Sequence, residues 1–300
     1  MFENTNMSKK MIKKAVVAVA GSGTRLLPAT KSMPKEMLPI VDKPAIQLIV
    51  EELVEAGIED IILVTKWDKK PLEDHFDRSW ALENELQKAG KEDKYKQVKK
   101  IANLANFVYV RQKGPYGNGT PLLSVASLVD DEPFVYAFGD DLVKSEVSFT
   151  KQMVEEYNTY QTPIVGVQRV EKNEVHKYGI VELKEGTQEM KSIVEKPDPE
   201  NAPSQLAQFG RFVLNQDIID ALRDTELGKG DELWLTDAIE RYLTTGKTVR
   251  VKEIEDGKWL TMGDPLSYMM ANLEYALDRE DLRDPILRCI DKEIQKQKSV

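Results

Sequence analysis

The sequence predicts an α/β fold: a Rossmann-like, mixed but mainly parallel sheet flanked by helices, with a smaller strand-rich part. Three observations support this. An apolar run at 15–20 leads directly into the segment Gly21-Ser22-Gly23, as a buried parallel strand does before a phosphate-facing turn. A second unit of strand, glycine loop and helix follows at 107–128, and beyond residue 160 the pattern becomes strand-rich.

Composition narrows the possible classes of protein. With 300 residues, 41% of them hydrophobic, the chain can bury a sizeable core. A formal net charge of −9 argues against nucleic-acid or membrane-surface partners. The longest apolar runs fall short of the ~18 residues that span a bilayer. Cys289 is the one cysteine, and no apolar leader follows the polar first residues, so we expect a cytoplasmic protein.

The first half of the chain is interpreted element by element. Residues 1–12 are polar and carry no motif, which predicts a flexible tail. Pro44 begins a helix and Gly57 ends it, with apolar residues at helical spacing between them: Ile46, Ile49, Val50, Leu53 and Val54. Three apolar runs predict neighbouring parallel strands at 61–65, 107–111 and 134–138. Ligand should therefore collect at the carboxyl ends of these strands.

The remaining elements complete a single predicted domain at 13–300, with a nucleotide-binding half at 13–160, a sugar-binding half at 161–264 and C-terminal helices at 265–300. Residues 68–104 form charged helices whose buried side is Trp80, Leu82 and Leu86. A helix at 148–160 precedes the second half, whose elements are strands 164–170, 179–183, 190–194 and 208–214, helix 232–244, and strands 249–254 and 258–261. The last helical region has an apolar series that predicts packing on the core, with a subunit contact as the alternative: Leu282, Ile286, Leu287, Cys289, Ile290 and Ile294.

The loop after the first strand is cationic in an otherwise acidic chain. Four basic residues alternate with prolines, which stiffen the loop and predict an anion site: Arg25, Lys31, Lys35 and Lys43. A dinucleotide fold would need a third glycine where Leu26 stands. A P-loop is absent too, because Gly246-Lys247-Thr248 has Arg241 in place of the first glycine.

The segment GSGTRLLPATKSMPKEMLPIVDKP resembles the signature loop of the sugar-nucleotide pyrophosphorylase family, and most closely that of its bacterial UDP-glucose-forming members. Further motifs along the chain extend the resemblance: Gly139-Asp140-Asp141, Tyr178-Gly179, Glu195-Lys196-Pro197, Gly210-Arg211-Phe212 and Leu235-Thr236-Asp237-Ala238. The resemblance implies Mg²⁺-dependent transfer of a uridylyl group from UTP to glucose 1-phosphate, giving UDP-glucose and pyrophosphate. The alternatives are the same chemistry with dTTP or another sugar 1-phosphate, and a non-catalytic regulator that binds nucleotide sugar.

The resemblance also implies roles for individual residues. Arg25 and Lys35 would hold the β- and γ-phosphates, and Lys196 would grip the sugar phosphate. The nucleotide contacts would come from Ala20, Gly21, Gly23, Gln112 and Gly117. The sugar contacts would come from Gly179 and Glu195 beside Lys196. A dimer or tetramer of identical chains is expected.

The metal site departs from the family pattern. Asp140 is the expected Mg²⁺ ligand. Thr261 stands where the family has a second metal-binding aspartate, so either Asp264 supplies that charge or Asp140 acts with phosphates and water. Thr120 and Ser22 also differ from the commoner family residues, which leaves base and sugar selectivity open.

Overall fold

The computed structural model describes residues 11–298. Its strands, in chain order, are β1 (Lys14–Ala18), β2 (Pro39–Ile40), β3 (Lys43–Pro44), β4 (Asp60–Thr65), β5 (Asn106–Arg111), β6 (Phe134–Phe138), β7 (Asp141–Ser145), β8 (Ile164–Arg169), β9 (Gly179–Leu183), β10 (Met190–Glu195), β11 (Leu206–Leu214), β12 (Arg250–Glu253) and β13 (Gly257–Thr261). Its α-helices are α1 (Ala45–Glu55), α2 (Lys70–Phe76), α3 (Trp80–Lys88), α4 (Glu92–Ile101), α5 (Thr120–Val129), α6 (Phe149–Tyr160), α7 (Gln216–Arg223), α8 (Leu235–Thr244), α9 (Pro265–Asp278) and α10 (Glu280–Lys298). Within 11–298 no helix has the length and apolar character needed to cross a membrane.

One sheet runs through both halves of the chain. Among the described residues its order is β10-β9-β11-β6-β1-β4-β5, with β8 beside β11 and β12 beside β8. β1 lies between β4 and β6 and is parallel to both, and β5 continues the parallel part. β11 then joins β6 in the antiparallel direction and carries the later strands into the same sheet. The predicted mixed sheet flanked by helices is confirmed.

Helices cover both faces of this sheet. α1 and α6 enclose one core, which includes Ile49 and Phe149, while α5, α7 and α8 enclose the other, which includes Val125. Adjacent β1 residues alternate between the two cores, Val17 in the first and Val16 in the second, since successive strand side chains point to opposite faces. Burial on both faces explains the continuous apolar run and holds the end of β1 rigidly for the loop that follows.

The boundaries of α1 follow the sequence signals. The helix begins one residue after Pro44, and Gly57 beyond its end has a φ of +93°, a conformation that favours glycine. Four of the five predicted apolar residues are buried: Ile46, Ile49, Val50 and Leu53. The predicted tail at 1–12 lies mostly outside the described residues, and Ile12, its last residue, is buried in the core.

The predicted buried side of the 68–104 region is wrong for two of its three residues. Trp80 and Leu82 are 63% and 41% exposed, whereas Leu86 is buried. The guanidinium of Arg78 lies 3.7 Å from the centre of the Trp80 ring, which covers the indole without burying it in the core. On a helix, residues two positions apart lie about 200° apart, so Trp80 cannot share a side with Leu82. The buried side of α3 carries Glu83 and Leu86 instead.

The prediction that the last apolar series packs on the core is also wrong. No residue of α10 is buried, and Leu287, Ile290 and Ile294 are 45%, 38% and 45% exposed. Cys289 is exposed as well. The helix extends from the end of α9 and leaves its apolar face open.

Candidate functional site

The loops that follow β1, β5 and β6 meet at one cleft, as parallel strand ends predict. Two adjoining cavities of about 340 and 370 Å³ open there. We call them the first and the second cavity. The residues that line both mark the junction between them: Arg25, Asn118, Phe138, Asp140, Lys196 and Trp234.

The first cavity brings together most of the residues predicted to bind nucleotide. Its lining includes Ala20, Gly21, Arg25, Lys35, Gln112 and Gly117. Gly23 lines neither cavity. It instead has a φ of +67° and accepts a hydrogen bond on its carbonyl oxygen from the Thr30 hydroxyl at 2.7 Å. Gly23 therefore shapes the signature loop.

The second glycine loop is tied to the segment before α8. The Leu233 amide donates to the Tyr116 carbonyl at 2.8 Å, and the Gly119 amide donates to the Leu233 carbonyl at 2.9 Å. Gly117, with a φ of +125°, has no room for a side chain, because a Cβ there would lie 2.2 Å from the Leu233 carbonyl oxygen. The main chain of Leu233 thus occupies the space that a side chain at Gly117 would need, and Gly117 itself lines the first cavity.

Lys35, which lines the first cavity, forms an ion pair with Asp140 of the junction. Lys35 Nζ lies 2.5 Å from Asp140 Oδ2, and each side chain is 16% exposed. Burial acts to lower the pKa of Lys35, but the neighbouring Asp140 and Glu36 carboxylates outweigh it and the pKa is raised. Burial likewise acts to raise the pKa of Asp140, yet Lys35 and Arg25 hold it below its usual value. Both groups are therefore charged at neutral pH.

A buried ion pair lies under the signature loop. Lys69 Nζ donates to Glu36 Oε2 at 2.7 Å, and the two side chains are 3% and 1% exposed. Burial raises the pKa of Glu36 and lowers that of Lys69, each against the attraction of the other. Because Glu36 follows Lys35 directly, this pair connects α2 to the loop and fixes the backbone from which Lys35 reaches the cleft.

Lys196 and Glu195 come from the end of β10 and face the second cavity. Lys196 Nζ lies 3.1 Å from Glu195 Oε1 and 3.9 Å from the centre of the Trp234 ring. Thr236 donates its hydroxyl hydrogen to Glu195 Oε2 at 3.0 Å. The Lys196 backbone has a φ of +47°, unusual for a side chain of this size. Gly179 does not line the cavity, but a Cβ there would collide with Thr236 and crowd Glu195.

The acidic residues near the junction are not equivalent as metal ligands. Asp141 accepts from the Gly210 amide at 3.0 Å and from Trp259 Nε1 at 2.8 Å, so each of its oxygens already accepts a hydrogen bond from the protein. Burial, together with the neighbouring Asp140, raises the pKa of Asp141 to about 6. Thr261 lies directly across from Asp141 in the β7–β13 pair. Asp141 is thus held by hydrogen bonds and Thr261 has no carboxylate, so neither residue offers a free carboxylate at the junction.

Asp264 has a structural role. It is the N-cap of α9, with its Oδ1 accepting from the Ser267 amide at 3.0 Å and its Oδ2 from the Ser267 hydroxyl at 2.7 Å. Among residues 11–298 no cluster of three or more His, Cys, Asp or Glu side chains could hold a metal by itself. Asp140 is thus the carboxylate best placed for a cation that takes its other oxygens from phosphates and water, as Mg²⁺ commonly does.

A second network fixes the Asp140-Asp141 segment from below. Arg211 is fully buried and donates to the Asp141 carbonyl at 3.1 Å and to Glu52 Oε2 at 2.6 Å. Glu52 also accepts from the Thr150 amide and hydroxyl, at 3.0 and 2.7 Å. The network links α1, α6, β7 and β11 at the base of the cleft.

Sequence reasoning missed three residues of the junction: Phe138, at the end of β6, Asn118 and Trp234. Asn118 accepts from the Leu235 amide through its Oδ1 at 2.7 Å, and its carbonyl accepts from the Tyr136 hydroxyl at 2.6 Å. Trp234 donates its ring N–H to the Lys229 carbonyl at 2.9 Å and presents its face to Lys196. Asn118 stands inside the second glycine loop and could have been selected there. Nothing in the sequence around Trp234 points to Lys196, which is 38 positions earlier.

Comparisons with known proteins agree with this geometry. The chain is 44% identical over 293 residues to the UTP–glucose-1-phosphate uridylyltransferase YngB of Bacillus subtilis (strain 168), covering 96% of this chain and 98% of that protein. A crystal structure of UDP-glucose pyrophosphorylase complexed with UDP-glucose matches with a TM-score of 0.80 and 42% identity, over 90% of this chain and all of that one. A UTP-bound UGPase of Acinetobacter baumannii matches with a TM-score of 0.85 and 38% identity, over 93% and 99%.

A family model described as nucleotidyl transferase matches residues 14–277, from the first residue of β1 to the end of α9. The match therefore includes the signature loop, the second glycine loop, Asp140 and Lys196. Together with relatives that align over nearly their whole length, it shows that this chain belongs to the nucleotidyl transferase family.

Proposed function

We propose that this chain transfers the uridylyl group of UTP to glucose 1-phosphate, giving UDP-glucose and pyrophosphate. The observation that carries the proposal is the meeting of Arg25, Lys196 and Asp140 where the two cavities join, with Lys35 paired to Asp140. The uridylyltransferase of B. subtilis and the UDP-glucose-bound pyrophosphorylase, each more than 40% identical to this chain, support the same substrates.

The reaction needs charge compensation more than proton transfer. The nucleophile is a phosphate oxygen of glucose 1-phosphate, which is anionic at neutral pH because a phosphate monoester has its second pKa near ~6. It attacks the α-phosphorus in line, and the bond from that phosphorus to the bridging oxygen of the leaving pyrophosphate breaks. Two unit charges ~4 Å apart repel by about 4 kcal/mol at an effective dielectric constant near 20, so several cations must converge.

The cations of the cleft divide this work. Arg25 and Lys35, on the signature loop, bind the β- and γ-phosphates and stabilise the charge that leaves with pyrophosphate. Lys196, on β10, approaches from the sugar side and neutralises the attacking phosphate beside the α-phosphate. Because Arg25 and Lys196 both line the junction, they can hold the two anions together in one orientation.

Asp140 fits the role of the protein ligand to one Mg²⁺, with phosphate and water oxygens completing the coordination. The bound ion would neutralise phosphate charge and help align the triphosphate. In this proposal Asp141 and Asp264 keep their hydrogen bonds within the protein and do not bind the ion. Thr261 contributes no charge.

Base and sugar selection are assigned to the two cavities. In the first cavity, the Gln112 amide offers both a donor and an acceptor to the uracil edge, and the main chain of Ala20 and Gly21 lies beside it. In the second, Glu195 accepts sugar hydroxyl hydrogens while Gly179 lets Glu195 lie close. We further propose that the protein works in the cytoplasm as a homo-oligomer.

The test is a matrix of pyrophosphate release with UTP, dTTP, ATP and GTP against several sugar 1-phosphates, with and without Mg²⁺. We expect the highest kcat/KM for UTP with glucose 1-phosphate and no turnover without a divalent cation. Lys196→Ala should lower turnover by about 100-fold or more, since it removes a charge at the reacting phosphates. Lys191→Ala, an exposed residue on the same strand, is the control and should retain normal turnover.

Three results would contradict the proposal in different ways. Preference for dTTP or another sugar phosphate would keep the chemistry and change the substrate. Binding of UDP-glucose without any pyrophosphate release would identify a non-catalytic nucleotide-sugar-binding protein. Normal turnover in Lys196→Ala would remove the mechanism.

A further inference from the structure

Gln208, on β11, is a buried polar residue in the wall of the second cavity. It is 6% exposed, and its Oε1 is buried without a hydrogen-bond partner among the described residues. Buried side-chain oxygens in folded proteins are normally hydrogen-bonded, because an unpaired one costs free energy. A donor that enters the cavity would supply the missing bond.

The fold holds the main chain of Gln208 in place at this wall. β11 changes partners around it: residues 206–207 pair with β9, whereas residues 211–214 pair with β6. Gly210, two residues further on, donates its amide hydrogen to Asp141 Oδ2 at 3.0 Å. Because the chain is fixed on both sides, the Gln208 amide stays beside the cavity.

Gln208 and Glu195 lie close together around Gly179. A Cβ on Gly179 would lie 2.9 Å from Gln208 Cγ and 3.2 Å from Glu195 Oε2, so both side chains border the same point. Glu195 Oε2 accepts the hydroxyl hydrogen of Thr236 at 3.0 Å, which fixes the orientation of that carboxylate. The second cavity therefore offers two neighbouring acceptor side chains held on separate strands, β10 and β11.

The chemistry of Gln208 favours the hydroxyl groups of a sugar over its phosphate. A phosphate monoester above its second pKa, near ~6, has no hydrogen to donate to Oε1, whereas a hydroxyl both donates and accepts. The amide also adds an acceptor without adding negative charge. This matters because four carboxylate residues already line the cavity, and a further one would repel the incoming phosphate: Asp140, Asp141, Glu195 and Asp264.

We propose that Gln208 is a specificity-determining residue, whose amide binds one hydroxyl of the sugar while Glu195 binds a different one. The inference rests on the proposed function, because it takes the second cavity as the place of the sugar. A sugar that lacks this hydroxyl would fill the cavity and leave the buried amide unpaired. Gln208 thereby selects against sugars without a hydroxyl at that ring position.

The test removes one sugar hydroxyl at a time. The kcat/KM of wild type and of Gln208→Leu is measured with glucose 1-phosphate and with each of its monodeoxy analogues. One analogue should lose about 10- to 100-fold in the wild type, but no more than about twofold in Gln208→Leu, because the variant has no amide to leave unpaired. With glucose 1-phosphate itself, Gln208→Leu should lose about 10- to 100-fold.

The matched control is Gln205→Leu. Gln205 is an exposed glutamine three positions earlier in the chain and lines neither cavity. This variant should discriminate among the analogues as the wild type does. The analogue that lacks the hydroxyl bound by Glu195 should stay penalised in both glutamine variants.

Thermal unfolding separates a ligand-binding amide from a structural one. Because Gln208 Oε1 accepts no hydrogen bond from the described residues, Gln208→Leu should unfold at a temperature no lower than that of the wild type. Titration calorimetry with UDP-glucose and its monodeoxyglucose analogues measures the same discrimination without turnover. A wild type that released no pyrophosphate, yet lost its discrimination against one analogue through Gln208→Leu, would contradict the proposed reaction and support this inference.

Two results would overturn the inference. In the first, wild type and Gln208→Leu show the same penalty for every analogue in kinetics and calorimetry, which would mean that the amide binds water only. In the second, Gln208→Leu unfolds at a lower temperature and keeps its discrimination among the sugars, which would make Gln208 a structural residue.

Discussion

Two ion pairs near the cleft have the same chemistry and opposite surroundings. Lys35 lines the first cavity and Asp140 lines both cavities; each side chain is 16% exposed and faces a space that a ligand can enter. Arg211 and Glu52 lie below the same segment at 0% and 10% exposure, and their remaining bonds go to protein groups. The first pair can exchange partners with a phosphate or a metal, while the second can only hold the fold. Burial with or without an opening therefore separates a functional charge pair from a structural one.

The largest effect on stability is expected from breaking the buried Arg211–Glu52 pair. Arg211→Ala should lower the free energy of unfolding by about 3–5 kcal/mol, because it leaves Glu52 buried without its cation and the Asp141 carbonyl without its donor. Denaturant unfolding measures this loss. Arg169→Ala removes an exposed arginine that pairs with Glu253 and should change stability by less than about 1 kcal/mol. Equal losses in the two variants would remove the distinction between the pairs.

Breaking the Lys35–Asp140 pair, which faces the first cavity, should lower turnover instead of stability. Lys35→Ala should lower kcat by about 100- to 1000-fold, an energy of roughly 3–4 kcal/mol, while the unfolding midpoint moves little. Steady-state kinetics and thermal unfolding are measured on the same preparation. Lys31→Ala serves as the matched control, because Lys31 is an exposed lysine of the same loop and, although predicted to belong to the anion site, lines neither cavity. A Lys35 variant that lost stability and kept its turnover would show that the Lys35–Asp140 pair is structural, like the Arg211–Glu52 pair.

Asp141 tests the comparison further, because it belongs to the buried network around Arg211 and its carboxyl group can still ionise. With a pKa raised to about 6, the folded carboxyl binds its proton more tightly than the unfolded one, so its contribution to stability is present at low pH and lost as pH rises from about 4 to about 6. The difference in unfolding free energy between wild type and Asp141→Asn should shift by about 2 kcal/mol across that interval, in favour of the variant at higher pH. A difference that is constant with pH would contradict this assignment.

The smallest effect concerns Asp264, which is a helix cap in the structure and a possible metal ligand in the sequence interpretation. Asp264→Ala should lower the unfolding free energy by about 1 kcal/mol, and Asp264→Asn should restore most of it, since asparagine is also a good N-cap. Neither should change the dependence of turnover on Mg²⁺ concentration. If both variants instead required far more Mg²⁺, Asp264 would be a ligand after all.

The sequence anticipated the cleft better than it anticipated the surface. Glycines and prolines around Arg25 and Lys35 marked the loop, and the apolar runs marked the strands whose ends meet there. The apolar stripe of α10 was misjudged because helical spacing reports which residues share a side of a helix, whereas whether another layer covers that side depends on elements elsewhere in the chain. Trp80 was misjudged because it does not share a helix side with Leu82 and Leu86.

By itself, the sequence determined the α/β order of elements, the cationic signature loop and the candidate residues for phosphate binding, because these depend on local spacing and residue type. Tertiary structure alone decided which charged side chains line a cavity and which are buried among protein groups. It brought the Trp234 ring against Lys196 and the main chain of Leu233 against Gly117. It also gave Asp141 and Asp264 their hydrogen-bond donors and left the apolar face of α10 exposed. Each of these depends on contacts between residues distant in sequence, which no local pattern encodes.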